Sequence, residues 1–158
     1  MNLDERIREI AKDRYNGKDW SHGWPHVEHM INNAEILASL TGVDLELTKS
    51  AIYLHDIGRG SDDDLNEDDK NHASYSVNAA IRILNRIGVS NYQRDLIIEA
   101  VEIHSDKEYN GSNPIALLLQ DVDKLDAMGY WGFLRVINHH IKKDFVPTES
   151  IINSIDKE

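Results

Sequence analysis

The sequence predicts an all-α fold, a compact single-domain helical bundle, and three observations carry that expectation. Apolar residues recur at helical spacing in seven successive segments. No segment shows the alternation of a half-buried strand, and there is no internal repeat or low-complexity linker. The 158 residues, 41% of them hydrophobic, lie within the size of one domain and suffice for a sizeable core. The expected domain is the whole chain, 1–158, with a core at about 20–135 and a C-terminal helix and tail at about 131–158.

The first helix runs from about Leu3 to Tyr15, with Leu3, Ile7, Ile10 and Ala11 on one face and Asn16-Gly17 as its end. A polar and aromatic lead-in, Asp19 to Trp24, precedes Pro25, which suits the first position of a second helix. That helix follows Val27, Met30, Ile31, Ala34, Leu37 and Ala38 to Thr41-Gly42, with His26 in its first turn beside the stripe. A third spans about Asp44 to Asp56, with Asp44 as N-cap and Leu45, Thr48, Ala51, Ile52 and His55 along one face. Gly58 is its expected stop.

Arg59 to Lys70 is almost wholly polar and reads as a solvated acidic loop. It lacks the central glycine and closing glutamate of an EF-hand. The fourth helix, Asn71 to Ile87, places His72, Ser76, Ala79, Ala80 and Ile83 together and stops at Gly88. Ser90-Asn91-Tyr92-Gln93 has the form of a capping box and opens a fifth, on which Ile97, Ala100, Val101 and His104 share a face. Asn113-Pro114 starts a sixth, whose stripe is Ile115, Leu118, Leu119, Val122 and Leu125, with Asp123 at its edge. A seventh runs from about Trp131 to Lys143 on Phe133, Leu134, Val136, Ile137 and Ile141, and Pro147 ends the patterned region.

Composition narrows the chemistry. With no cysteine, a metal site has only imidazole and oxygen to draw on. No stretch approaches the ~20 apolar residues that span a bilayer, and no apolar run follows the N-terminal charges, so a soluble, unexported, cytoplasmic protein is expected. Seventeen basic against 28 acidic residues give a formal charge of −11, which argues against a nucleic-acid polymer or an anionic membrane as partner. A small anionic substrate would need a cation to overcome that field, and a bound divalent ion is often the largest local charge in a site.

Separate helices deliver His26, His55 with Asp56, His72, His104 and Asp123, each beside an apolar face. A single inward histidine is ordinarily a hydrogen-bonded core residue, but several converging from different helices point to a shared divalent ion, since burying unpaired carboxylates costs several kcal/mol. Neighbours on a regular helix point about 100° apart, so His55 and Asp56 can share an ion only at a helix end or bend.

These residues, in the order His26, His55-Asp56, Asp123, resemble the HD-domain metal-dependent phosphohydrolase superfamily. The surroundings His22-Gly23-Trp24-Pro25-His26-Val27, Leu54-His55-Asp56-Ile57-Gly58-Arg59 and Gln120-Asp121-Val122-Asp123-Lys124-Leu125-Asp126-Ala127 look like its small single-domain bacterial and archaeal members, over roughly Trp20 to Arg135. The resemblance implies a divalent ion held by His26, His55, Asp56 and Asp123, with Asp121 supporting the site rather than ligating. Mixed nitrogen and oxygen ligation suits Mn, Fe, Co, Ni or Zn better than Mg.

The implied activity is hydrolysis of a phosphoester, in a nucleotide or other small phosphorylated metabolite, by metal-activated water. Asp56 can hold that water with one oxygen while ligating with the other. His72 and His104 have two readings: protonating the leaving oxygen or contacting phosphate beside a single ion, or binding a second ion. One ion is the leading expectation. Lys124 and Arg59 are candidate phosphate clamps, with surface salt bridging as their plainer role. His22 is expected at the pocket mouth or as a helix cap, and neither it nor His29 as a ligand. His139 and His140 read as structural or surface groups. Trp24, Tyr130 and Trp131 line the pocket or pack the core. Two other functions fit the same residues: a non-catalytic metal-containing ligand-sensing module, and a dinuclear-iron oxidative enzyme. Substrate identity and oligomeric state leave no mark on the sequence.

Overall fold

A computed structural model describes residues 2–15, 22–59 and 72–142, and for 138–142 the backbone alone. The acidic stretch 60–70, the expected helix end at 16–17, the tail from 143, and the side chains of His139 and His140 lie outside the described residues. Seven helices and no strand are present among the residues described, so the fold is all-α. They are α1 (Leu3–Tyr15), α2 (Trp24–Thr41), α3 (Leu45–Leu54), α4 (His72–Ile87), α5 (Asn91–Ile103), α6 (Pro114–Asp126) and α7 (Gly129–Lys142).

The caps explain where the helices begin. Asp44 accepts from the Leu47 amide at 3.0 Å, and Asn113 accepts from the Ile115 and Ala116 amides at 2.9 and 3.4 Å. Ser90 Oγ accepts from the Gln93 amide and itself donates to Gln93 Oε1, a variant of the capping box. Gly42 and Gly88 close α2 and α4 with left-handed φ of 74° and 78°.

α3 is the central helix. It packs against α1, α2, α4, α5 and α6, and its Leu47, Ala51, Ile52 and Leu54 are buried. Around it Ile7, Met30, Leu84, Ile97, Ile115 and Leu119 complete the core. α7 packs mainly on α6. No described helix is long and apolar enough to cross a membrane.

Three expectations need correction. α3 ends at Leu54, so His55 and Asp56 stand in the turn after it rather than in its last turn. Gly58 does not end the helix through a left-handed conformation. A Cβ there would meet the Ser76 backbone nitrogen at 2.4 Å and the Tyr75 carbonyl carbon at 2.6 Å, so glycine is needed for close approach to α4. Leu125 and Phe133, expected on buried stripes, are 39% and 47% exposed. Of its two expected roles Trp24 takes packing: it stacks on Tyr53 at 5.8 Å and meets Tyr15 edge-on, beneath Arg8 and Lys12.

Candidate metal centre

Every predicted ligand stands at or near the end of a helix. His26 is in the first turn of α2, His72 begins the described part of α4, and Asp123 is in the last turn of α6. His55 and His104 occupy the C-cap positions of α3 and α5. Both histidines use one local device. Each Nδ1 lies 2.7 Å from the carbonyl oxygen three residues back, that of Ile52 or Val101. A carbonyl only accepts, so Nδ1 carries a proton, a spare helix-end carbonyl is satisfied, and in the neutral ring Nε2 keeps a lone pair pointing inward. The sequence position of each histidine thus fixes its tautomer.

His26 is set differently. Its Nδ1 lies 2.6 Å from Oδ2 of Asp126, which is fully buried. Asp126 also accepts from Nδ1 of His29 and from the Arg135 guanidinium. Burial alone would raise its carboxyl, but the hydrogen bond and charge of His26, then Arg135 and His29, outweigh burial and hold it below the usual carboxylate range. It is an ionised acceptor, so the Nδ1 proton of His26 is committed to it and Nε2 is turned to the interior.

The inward atoms fall into two groups of potential ligands, His26, His55 and Asp123 in one and Asp56, His72 and His104 in the other. In the first, the Nε2 atoms of His26 and His55 stand 3.3 Å apart, and Asp123 Oδ1 is 3.7 Å from His26 Nε2. In the second, the Nε2 atoms of His72 and His104 are also 3.3 Å apart, at 3.9 and 3.6 Å from Asp56 Oδ1. The other oxygen of Asp56 faces the first group, 3.6 Å from His55 Nε2. One carboxylate therefore addresses both groups.

The donor set fits a divalent cation. In the first group two imidazoles, each with an Nδ1 proton committed elsewhere, turn their Nε2 atoms toward each other, and in their neutral forms neither has a proton to donate across the gap. Burial drives the His55 pKa down to about 4, with His104 and His26 adding to the effect and Asp56 opposing it, so this imidazole is neutral. Neutral imidazoles with converging lone pairs and a carboxylate are what a transition-metal ion requires. In the second group burial lowers the His104 pKa, but Asp56 and the Val101 carbonyl raise it further and win.

Asp56 is itself anchored. Arg59 Nε lies 2.7 Å from Asp56 Oδ2, and the Arg59 amide donates to the Asp56 carbonyl at 3.1 Å. Burial pushes the Asp56 carboxyl up, but His55, Arg59 and His104 reverse this and hold it well below its usual range. The phenol of Tyr15, buried near the Asp56 backbone, is pushed well above its usual value by burial and by the Asp56 charge.

A family model for the HD domain matches residues 24–128. The chain belongs to the HD domain family. The match falls inside the range of the sequence resemblance and contains every residue of the two groups of potential ligands, while α7 lies beyond it. No curated protein matches the chain. Among solved structures it is similar to a Lactobacillus plantarum protein at TM-score 0.70 and 25% identity, over 87% of this chain and 62% of that one. A protein from an uncultured Thermotogales bacterium, described as a predicted HD superfamily hydrolase, matches at TM-score 0.70 and 24% identity over 99% of this chain and 90% of that one. Bacillus subtilis YpgQ in complex with ADP matches at 0.69 and 20% over 98% and 76%. The last two likenesses concern the fold.

The structure brings His26, His55, Asp56, His72, His104 and Asp123 together, with Arg59 on Asp56. Lys124 is exposed in the last turn of α6, outside both groups. Asp121, expected to support the site, is exposed and belongs to neither group. Asp126 fills that role and had no assignment from sequence. Two matched spacings signal it: His26 and His29 lie three apart on α2, and Asp123 and Asp126 three apart on α6, so each pair shares a face on helices that pack together. His29 serves Asp126 and rests against Trp131 at 5.5 Å, while Tyr130 is 78% exposed. His22, partly buried in the turn before α2, belongs to neither group.

Proposed function

We propose that the chain is a metal-dependent phosphohydrolase acting on a phosphoester of a nucleotide or other small phosphorylated metabolite. The observation that carries this reading is the pair of ligand groups meeting at Asp56, one carboxylate oxygen toward each. The arrangement favours two ions over the single ion expected from sequence. A divalent ion so held supplies Lewis acidity and makes a bound water nucleophilic near neutral pH.

The chain's own residues do the rest. His26 and His55 turn Nε2 inward, their opposite faces locked by Asp126 and the Ile52 carbonyl. Asp123, with a 32% exposed side chain, forms the side of the first group open to water and substrate. Arg59 fixes Asp56 so that its two oxygens stay divided between the groups. His72, 14% exposed and at the rim of the second group, is the group placed to meet a phosphoryl oxygen or give a proton to the leaving oxygen where only one ion is bound. Lys124, beside Asp123 in sequence and exposed, supplies a cation for the rest of an anionic substrate.

The same two groups also suit a dinuclear-iron oxidative enzyme, and metal exchange separates the readings. Chelated protein reloaded with Mn or Zn should release phosphate from members of a phosphorylated-metabolite panel, led by nucleoside phosphates because the shared fold holds ADP in YpgQ. Asp56→Ala and Asp123→Ala should lose about 100-fold or more. Turnover untouched by either substitution would sink the hydrolytic mechanism. Activity confined to iron and dependent on oxygen would favour the oxidative one.

A further inference from the structure

The HD family match ends at residue 128, yet a side chain from α7 reaches the ligand set. Arg135, nine residues beyond the end of α6, places its guanidinium on Asp126 Oδ2, the oxygen that also receives Nδ1 of His26. The Asp126 side chain is 0% accessible, and that of Arg135 only 13%. His29 and Trp131 pack at the same place. A continuous line of contacts thus runs from α7 through Arg135 and Asp126 to His26 and the first ligand group.

We infer that α7 and metal binding are thermodynamically coupled through Arg135 and Asp126, so that docking of α7 sets the affinity of the His26, His55 and Asp123 group, and an ion there holds α7 in place. This rests on the metal-site reading above. The physical cause is orientation. Asp126 holds the His26 ring with Nε2 toward His55, and its carboxylate stays in position only while a cation shares its burial. Without Arg135, a fully buried carboxylate has imidazole partners alone, and it relaxes by moving toward water. Such a shift rotates the His26 ring and spoils the first group. The second group has anchors of its own outside α7: His104 is held by the Val101 carbonyl and Asp56 by Arg59. Linkage is reciprocal, so whatever α7 does for the ion, the ion does for α7.

Arg135 and Asp126 are positioning residues, and the test reads position as well as affinity. Titration calorimetry with Mn alone on the full chain gives the affinity of each site, and amide exchange over α7 gives its protection with and without Mn. In Arg135→Met the first-group affinity should fall about 5-fold or more while the second stays unchanged. In Asp126→Asn the first-group loss should be about 10- to 100-fold. Arg135→Lys should recover part of the loss, and Tyr130→Ala, an exposed position on the same helix, should cause none. Mn should slow exchange of α7 in the unaltered chain and lose that effect in Arg135→Met. Equal weakening of both sites, an unchanged first site in Arg135→Met of native helix content, or α7 exchange indifferent to Mn would each overturn the coupling while leaving the metal reading intact. Binding of no Mn at all would overturn both.

Discussion

Gly58 gives the sharpest test of how the turn carrying His55 and Asp56 is held. In Gly58→Ala the new Cβ would sit 2.4 Å from the Ser76 nitrogen, 2.6 Å from the Tyr75 carbonyl carbon and 2.7 Å from Tyr75 Cβ. Comfortable carbon contacts begin near ~3.5 Å, so the turn and α4 must part by about 1 Å. Two of those atoms are backbone, which no rotamer change can clear. Overpacking of this kind costs about 1–3 kcal/mol. The Gly58 amide would also lose its 3.0 Å bond to Ser76 Oγ, worth ~1 kcal/mol, for a sum of about 2–4 kcal/mol. The displacement has a direction, because α4 carries His72, 3.9 Å from Asp56 Oδ1. Urea unfolding of metal-free protein measures the stability term, and Mn titration measures the site. Ser76→Ala separates the causes: it removes the hydrogen bond without the clash and should cost only about 1 kcal/mol, with metal binding retained. A Gly58→Ala protein within ~0.5 kcal/mol of the unaltered chain, the ordinary scatter of surface substitutions, and with two intact sites would refute the close-approach explanation.

Other perturbations follow from the same geometry. Burial and the charge of Asp4 lift the Tyr53 phenol to about 12, against about 10 when unfolded. Its contribution is complete below pH 10 and drains away as pH rises toward 12, so at pH 11 Tyr53→Phe should outlast the unaltered chain by about 1 kcal/mol more than at pH 8 in denaturant unfolding. Equal differences at the two pH values would contradict the shift. Gln120 donates to the Ile103 and Asp106 carbonyls at 2.9 and 2.7 Å, bracketing the turn that bears His104. Gln120→Leu should therefore cost about 2 kcal/mol and weaken the second metal group before the first, as read by urea unfolding and Mn titration. Metal removal should destabilise the fold by ~2.7 kcal/mol relative to protein at 100-fold excess over its dissociation constant, and a calorimetric melting temperature insensitive to chelator would count against a bound ion.

The helices were legible because their signals are local. Asp44, Ser90 and Asn113 cap where their side-chain chemistry places them, and Gly42 and Gly88 stop helices by the conformation only glycine adopts readily. Gly58 shows the limit of that logic. Glycine serves either a left-handed backbone or a close approach, and the partner that selects the second use, Ser76, lies eighteen residues away across residues outside those described. The ligand order His26, His55-Asp56, Asp123 was legible in the same sense, as a pattern along the chain. Its division into two groups was not, because that depends on which way each Asp56 oxygen points, and Arg59 decides this from the turn itself.

The support around the ligands was the least legible part, and the reason is physical. A ligand histidine needs a proton acceptor at Nδ1, but any carbonyl or carboxylate will serve. For His55 and His104 the acceptor is main chain three residues back, which leaves no trace in residue identity beyond the histidine's place at a helix end. For His26 it is a side chain one hundred residues away, completed by an arginine on α7. The first kind of support comes with the helix end itself, whereas the second exists only when α2, α6 and α7 have all docked. A metal site built from both therefore has one half that can be set by local folding and one half that reports on the assembled bundle.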